Sequence, residues 1–296
     1  MKYIVTGGRG FIGSHFVEEV LARGDAVVDI DIMSYASHQS LPWDDHPNYT
    51  FLKADISEIT HLPSCDILIN FAAESHVDNS INDTAPFVKS NVLGVHNLLE
   101  LVRGKPAYAR PLFFHISTDE VYGDRIEGSF KEGDKLTPSN PYSATKAAAE
   151  MLVLAYARTY EMDFIITRSA NNYGDRQYEE KLISKSIVSL KEDKKIPIHG
   201  DGSYIRDWTY VKDNITALLT IIDSGVKNEI YNVASENHMT NLEVAKSVLG
   251  WFNKDDSSLM FVENRWGQDL RYSISSRKLR NLGWAPTHPK GLHKWF

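Results

Sequence analysis

With 296 residues, 42% of them hydrophobic and 24% charged, the chain is long enough to bury one large core or two smaller ones. A formal net charge of −7 without a basic block argues against nucleic acid as a partner, because tracking phosphates needs a basic face, and no apolar run reaches the roughly 18 residues of a membrane span. Cys65 is the only cysteine, which leaves no internal disulfide or cysteine metal cluster, and the 11 histidines are scattered without ligand spacing, so a reducing, cytoplasmic setting is expected.

The N-terminus has no signal-peptide layout. Tyr3-Ile4-Val5 reads as a buried strand, followed by Gly7-Gly8-Arg9-Gly10-Phe11-Ile12-Gly13. Phe11, Ile12, Phe16, Val17, Val20 and Leu21 then recur at helical spacing, and Ala26 to Asp31 is a second strand. Strand, glycine turn, helix and strand in this order are the context of a dinucleotide fingerprint. Glycines permit the tight turn, let the backbone approach a pyrophosphate, and let helix and strand pack closely. The phosphates sit at the helix N-terminus, where free N–H groups favour anions. Gly7, Gly10, Phe11, Ile12 and Gly13 are therefore candidate cofactor residues. Asp31 is placed to accept from the ribose hydroxyls. No Arg or Lys occurs in Ile32-Met33-Ser34-Tyr35 to meet a 2′-phosphate, which favours NAD over NADP.

A third strand is expected over Tyr49 to Ile56, with Asp55 and Ile56 flanking an adenine. Asp66 to Phe71 is a fourth, leading into Ala72 and Ala73, small enough for a cofactor to pass. Glu74, Ser75 and His76 are polar groups at that strand end and candidate substrate contacts. A helical pattern runs from Pro86 to Arg103. The fifth strand starts at Leu112 and exits through Thr118, Asp119 and Glu120 into Tyr122-Gly123. Adjacent acids at the end of a buried strand are costly unless bonded or paired, and the carboxyl ends of strands are where open α/β sheets bind ligands.

After a polar loop, Asp124 to Lys135, Tyr142 opens a helix reaching about Tyr160. Tyr142 and Lys146 lie four apart and share a face. A nearby cation favours the phenolate, which makes Tyr142 a candidate general base for an alcohol. Asp163 to Arg168 is a sixth strand. Beyond it, Asn171 to Gly174 reads as a turn and Leu182 to Leu190 as a helix. Strands are expected at Ile196–Gly200, Arg206–Val211 and Glu229–Val233, and helices at Asp213–Asp223 and Asn241–Phe252. The tail ends at Phe296 in what reads as an unfinished helix. The expected fold is α/β: a Rossmann doubly wound parallel sheet with a smaller C-terminal α/β lobe. Residues 1–168, with 207–234 returning, form the NAD-binding part, and 169–206 with 235–296 the substrate part.

Thr6-Gly7-x-x-Gly10-x-x-Gly13, Asp31 and Tyr142-x-x-x-Lys146 resemble the extended short-chain dehydrogenase/reductases that act on nucleotide sugars. Ala72-Ala73-Glu74-Ser75-His76-Val77-Asp78, Ser117 to Gly123, Asn140 to Lys146, Asn171-Asn172-Tyr173-Gly174, Glu180-Lys181-Leu182-Ile183 and Ile205-Arg206-Asp207-Trp208 narrow the resemblance to the NDP-sugar 4,6-dehydratases, acting on dTDP- or UDP-glucose. Epimerases and decarboxylases of the family usually lack the Asp-Glu pair. The resemblance implies bound NAD, a nucleotide-sugar substrate and a homodimer packed through helices near 86–103 and 142–160. It implies Tyr142 as base at the 4-hydroxyl, with Lys146 beside it and Thr118 hydrogen-bonding the same hydroxyl. Glu120 would be the base at C5, and Asp119, kept protonated, the acid at the departing 6-hydroxyl. Asn171, Lys181, Leu182, Arg206 and Arg271 match positions that hold nucleotide and diphosphate, for which guanidinium is suited. Asp175, Trp266 and Leu270 depart from the family's pattern, and all three fall in the substrate part. The rival readings are a UDP-N-acetylglucosamine 4,6-dehydratase, with or without inversion at C5, a C4 epimerase or decarboxylase, and a non-catalytic dinucleotide-binding regulator.

Overall fold

A computed structural model describes residues 1–264 and 269–296; Trp266 lies outside the described residues. The chain runs β1 (Lys2–Thr6), α1 (Phe11–Ala22), β2 (Ala26–Asp31), β3 (Tyr49–Lys53), β4 (Ile67–Asn70), α2 (Val77–Asn82) and α3 (Ala85–Phe87). A π-helical turn, Val88–Gly94, leads into α4 (Val95–Arg103). Then come β5 (Leu112–Thr118), α5 (Pro141–Tyr160), β6 (Phe164–Ser169), β7 (Asn171–Tyr173), α6 (Leu182–Lys191), β8 (Ile196–His199) and β9 (Ile205–Tyr210). The rest is α7 (Val211–Asp223), β10 (Glu229–Val233), β11 (His238–Thr240), α8 (Asn241–Trp251), β12 (Leu259–Val262) and α9 (Arg277–Arg280).

The main sheet has seven strands in the order β10-β6-β5-β4-β1-β2-β3, all parallel. Tyr3, Val5, Ile69 and Phe114 pack on one face with α1 and α7. Ile4, Leu68, Phe113 and Ile166 pack on the other with α4 and α5. Burial on both faces is why these strands read as continuous apolar runs and not as alternation. The strand order reverses between β1 and β4, and at such a switch point the strand ends open a crevice.

A second sheet, β11-β9-β7, and a parallel pair, β12-β8, share a core with α6 and α8. Here the structure departs from the local reading of the sequence. Asn171–Tyr173 is a strand and not a turn, because it pairs with Trp208–Tyr210. His238–Thr240 and Leu259–Val262 are strands held by distant partners. The third strand stops at Lys53, and the Asp55 carboxylate accepts from Ser57 N at 2.8 Å to turn the chain. The tail forms no helix after Arg280; Trp295 and Phe296 pack against Trp251 instead.

Candidate active site

A cavity of about 610 Å³ opens at the switch point. Every candidate residue named from the sequence lines it except Arg271. The Arg271 guanidinium donates to the carbonyls of Arg125 at 2.9 Å and Gly128 at 2.7 Å. It braces the loop after the turn that carries Asp119 and Glu120, and its side chain stands outside the cavity lining. Arg206 does line the cavity, laid over the Tyr272 ring at 4.2 Å and braced by the carbonyls of Ile205 and Asp269. Lys181 Nζ donates to Ser75 O at 3.0 Å, tying the two halves of the rim.

At the glycine turn, Gly7 has φ +73°, and a Cβ there would lie 2.7 Å from Ala72 N. A Cβ on Gly13 would lie 2.2 Å from Gly7 O, so helix and turn could not close. Gly10 is different: Gly7 O at 3.3 Å is all a Cβ there would meet, so its outer side is an open cradle. No side chain caps the start of α1, and its first N–H groups remain for an anion. Asp31 accepts from Arg9 N at 3.1 Å, Met33 N at 2.7 Å and Ser37 Oγ at 2.9 Å. The Arg9 side chain itself is paired with Asp44 and is not in the cavity lining. Cradle, uncapped helix and Asp31 fit NAD.

β5 ends at Thr118, and Asp119–Tyr122 makes one 3-10 turn. Glu120 N donates to Thr118 Oγ1 at 3.3 Å, and Thr118 Oγ1 donates to Asp119 Oδ1 at 3.4 Å. Opposite, α5 starts with Pro at N1 and Asn140 as N-cap, its side chain accepting from Ser143 N. Asn140 Nδ2 also donates to Glu120 Oε2 at 3.3 Å. In the sequence Asn140 is marked only as the start of the Asn140 to Lys146 stretch and by its capping position. Asn91, in the π-helical turn, was not legible at all. Its amide bonds both N and O of Glu74 and reaches Thr145, fixing the Ala72–His76 rim to α5; π-turns inside helices often sit at functional sites.

Burial, then the charges of Glu120 and Asp207, hold the Asp119 carboxyl well above its usual range. Burial also raises Glu120, partly offset by Asn140. Lys146 donates to Ile116 O at 2.7 Å, and burial pulls its ammonium down to about 8. The expectation that Lys146 lowers the Tyr142 phenol is not met by the protein groups. Burial and the Glu120 charge raise the phenol, and Thr118 is the group that lowers it.

Asp207, missed in the sequence, is fully buried on β9. Its Oδ2 has no hydrogen-bond partner among the described residues, and burial pushes it up to about 7. The available signal was face alternation: Asp207 and Thr209 point away from Arg206 and Trp208. A raised carboxyl binds its proton more tightly folded than unfolded, so stability falls as pH rises from about 4 towards 7. Asp207→Asn should therefore gain stability relative to the parent across that window and gain no more above it. Denaturant titrations of both proteins at several pH values measure this, and an offset independent of pH would refute it.

The turn is held from behind. Arg168 and Glu150 form a buried ion pair at 2.6 Å, and Arg168 also donates to Tyr122 Oη at 2.6 Å. Tyr122 donates to Asn232 at 2.9 Å. Thus β6, α5 and β10 all fix the turn bearing Asp119 and Glu120.

Among known proteins, residues 4–289 match the family model described as GDP-mannose 4,6 dehydratase. The chain is 43% identical to the low-salt glycan biosynthesis protein Agl12 of Haloferax volcanii, over 97% of this chain and 94% of that protein. It is 39% identical to a dTDP-glucose 4,6-dehydratase of Neisseria gonorrhoeae, over 99% of this chain and 94% of that protein. The solved structure of DesIV, a dTDP-glucose 4,6-dehydratase of Streptomyces venezuelae with NAD and dTDP bound, superposes with a TM-score of 0.92 at 38% identity, covering 97% of this chain and 92% of that one. The chain belongs to the GDP-mannose 4,6-dehydratase family, and within it to the NAD-dependent NDP-sugar 4,6-dehydratases.

Proposed function

We propose that the chain converts dTDP-glucose, or UDP-glucose, to the 4-keto-6-deoxy sugar nucleotide. The observation that carries this is the pair Asp119–Glu120, Asp119 held towards its protonated form by burial and the neighbouring carboxylates and Glu120 accepting from the Asn140 amide, in one cavity with Thr118, Tyr142 and Lys146. Bound NAD supplies the place where hydride from C4 is stored and from which it returns to C6. Tyr142 takes the 4-hydroxyl proton, while Thr118 and Lys146 hold the reacting end of the site. The 4-ketone acidifies C5, and Glu120 removes its proton. Asp119 delivers a proton to the departing 6-hydroxyl, which leaves as water. One acid and one base side by side are what an elimination needs.

Gly7, Gly10, Phe11, Ile12, Gly13, Asp31, Asp55, Ile56, Ala72 and Ala73 hold the cofactor in this reading. Glu74, Ser75, His76, Asn171, Lys181, Leu182 and Arg206 hold the sugar nucleotide. Residues 1–168 with 207–234 serve the first, and 169–206 with 235–296 the second. The proposal includes pairing of two copies through α4 and α5, beside which Val88, Leu93 and Met151 are exposed apolar side chains.

Incubation of the NAD-loaded protein with dTDP-glucose, UDP-glucose and UDP-N-acetylglucosamine tests the reading. A 4-keto-6-deoxy product from one of the glucose nucleotides is expected. Product from the N-acetylglucosamine nucleotide alone, or none at all, would overturn it.

A further inference from the structure

We propose that segment 175–181 is a clasp shared by cofactor and sugar nucleotide: it shuts the NAD site from outside, and a nucleoside diphosphate in the cavity holds it shut. The clasp itself rests on the fold. Its use, keeping a cofactor that each turnover regenerates, rests on the dehydratase reading above. Three elements carry the cavity residues that fit NAD: the glycine turn with α1, the loop that follows Asp31, and the rim 72–76. Segment 175–181 is tied to all three.

At α1, His15 Nε2 donates to Asp175 O at 3.0 Å. Further along that helix Glu18 pairs with the Arg176 guanidinium at 2.5 Å, which also covers the Trp43 ring at 5.0 Å. From the loop after Asp31, His38 Nε2 donates to Arg176 O at 3.0 Å, and Tyr35 Oη donates to Glu180 Oε2 at 3.0 Å. The Tyr35 and Tyr178 rings meet edge to face at 5.2 Å. Ser37, between Tyr35 and His38, donates to Asp31 at 2.9 Å, so opening the clasp also loosens the carboxylate placed for the ribose. At the rim, Lys181 Nζ donates to Ser75 O. Most of these ties lie at the surface and are weak singly; they act together because one segment carries them. The same segment turns Gln177, Tyr178, Glu180 and Lys181 to the cavity. Gln177 is anchored on the substrate side, donating to Asn172 O at 2.8 Å and accepting from Ser184 Oγ at 3.2 Å. A ligand that touches Gln177 and Lys181 makes those contacts only while the segment lies across the cavity, so it favours the shut form. The coupling is reciprocal: NAD tightens the nucleotide by the factor by which the nucleotide tightens NAD.

Release of labelled NAD from the loaded protein into an excess of unlabelled NAD tests the clasp without any turnover. In the parent protein, saturating dTDP or UDP should slow release at least about fivefold, the lower end of coupling between sites. Tyr35→Phe keeps the ring and loses the bond to Glu180. Combined with Arg176→Ala it should release NAD at least about tenfold faster than the parent, the equivalent of about 1.4 kcal/mol, and lose most of the slowing by nucleotide. Turnover of this double variant should fall on dilution and return to the parent kcat when NAD is added, which a damaged fold would not show. Equal release from parent and double variant, or release from the parent that neither dTDP nor UDP slows, would overturn the clasp. The parent measurement needs no variant and decides the matter if the double variant does not fold. Absence of any 4-keto-6-deoxy product alongside the expected release rates would overturn the dehydratase reading and uphold the clasp.

Discussion

Glu120→Gln is expected to lower turnover about a hundred- to ten-thousand-fold, the range for loss of a positioned general base. The substitution keeps the shape of the side chain and its contact with Asn140, so the turn should survive and only the base should be lost. In deuterated water the parent enzyme should place deuterium at C5 of the product, and the variant should not. Removal of hydride from C4 depends on Tyr142 and should remain measurable when the 4-deuterated substrate is used. Deuterium that still enters C5 in the variant would assign the base elsewhere.

The second large effect is on stability. Glu150→Ala leaves the Arg168 guanidinium, 2% exposed, buried without its carboxylate. Loss of one partner of such a pair costs about 3–5 kcal/mol, read as a lower midpoint in urea. Replacing both members by Met should restore much of the loss, because the pair repays a desolvation cost that Met does not incur. The double variant should still lose activity, since Arg168 also fixes Tyr122 behind the turn that carries Asp119 and Glu120. A single-variant loss below about 1 kcal/mol, the worth of an exposed pair, would contradict this assignment.

Most of the main sheet was legible because its strands are buried on both faces, and the glycine turn because it sits in one continuous stretch. Thr118–Glu120 and Tyr142 with Lys146 were legible for the same reason: each group is local in the chain. What stayed hidden depends on distant partners. Asn171–Tyr173 is a strand only because Trp208–Tyr210 lies beside it. Arg206 and Arg271 look alike in sequence, yet the second is captured by carbonyls near Gly128, and no spacing rule encodes that. Asp207 and Asn91 act through what packs around them. The Tyr142 phenol was expected to be lowered by Lys146, but depth and the two carboxyls outweigh a cation that is tied to Ile116 O. Helical spacing reports direction and is blind to depth.

β10 completes the main sheet by pairing along β6, Glu229 opposite Ile165 and Val233 opposite Ser169. Between these two strands the chain builds β7, α6, β8, β9 and α7. During synthesis, therefore, β6 presents a bare apolar edge until the chain has been made past Val233. An uncovered edge is a template for pairing with other chains, and nascent domains are most exposed to misassembly in that interval. The order of the strands thus sets a window in biosynthesis when the newborn protein is most prone to aggregate, and it means that no cut between β6 and β10 yields a nucleotide-binding half with its sheet closed.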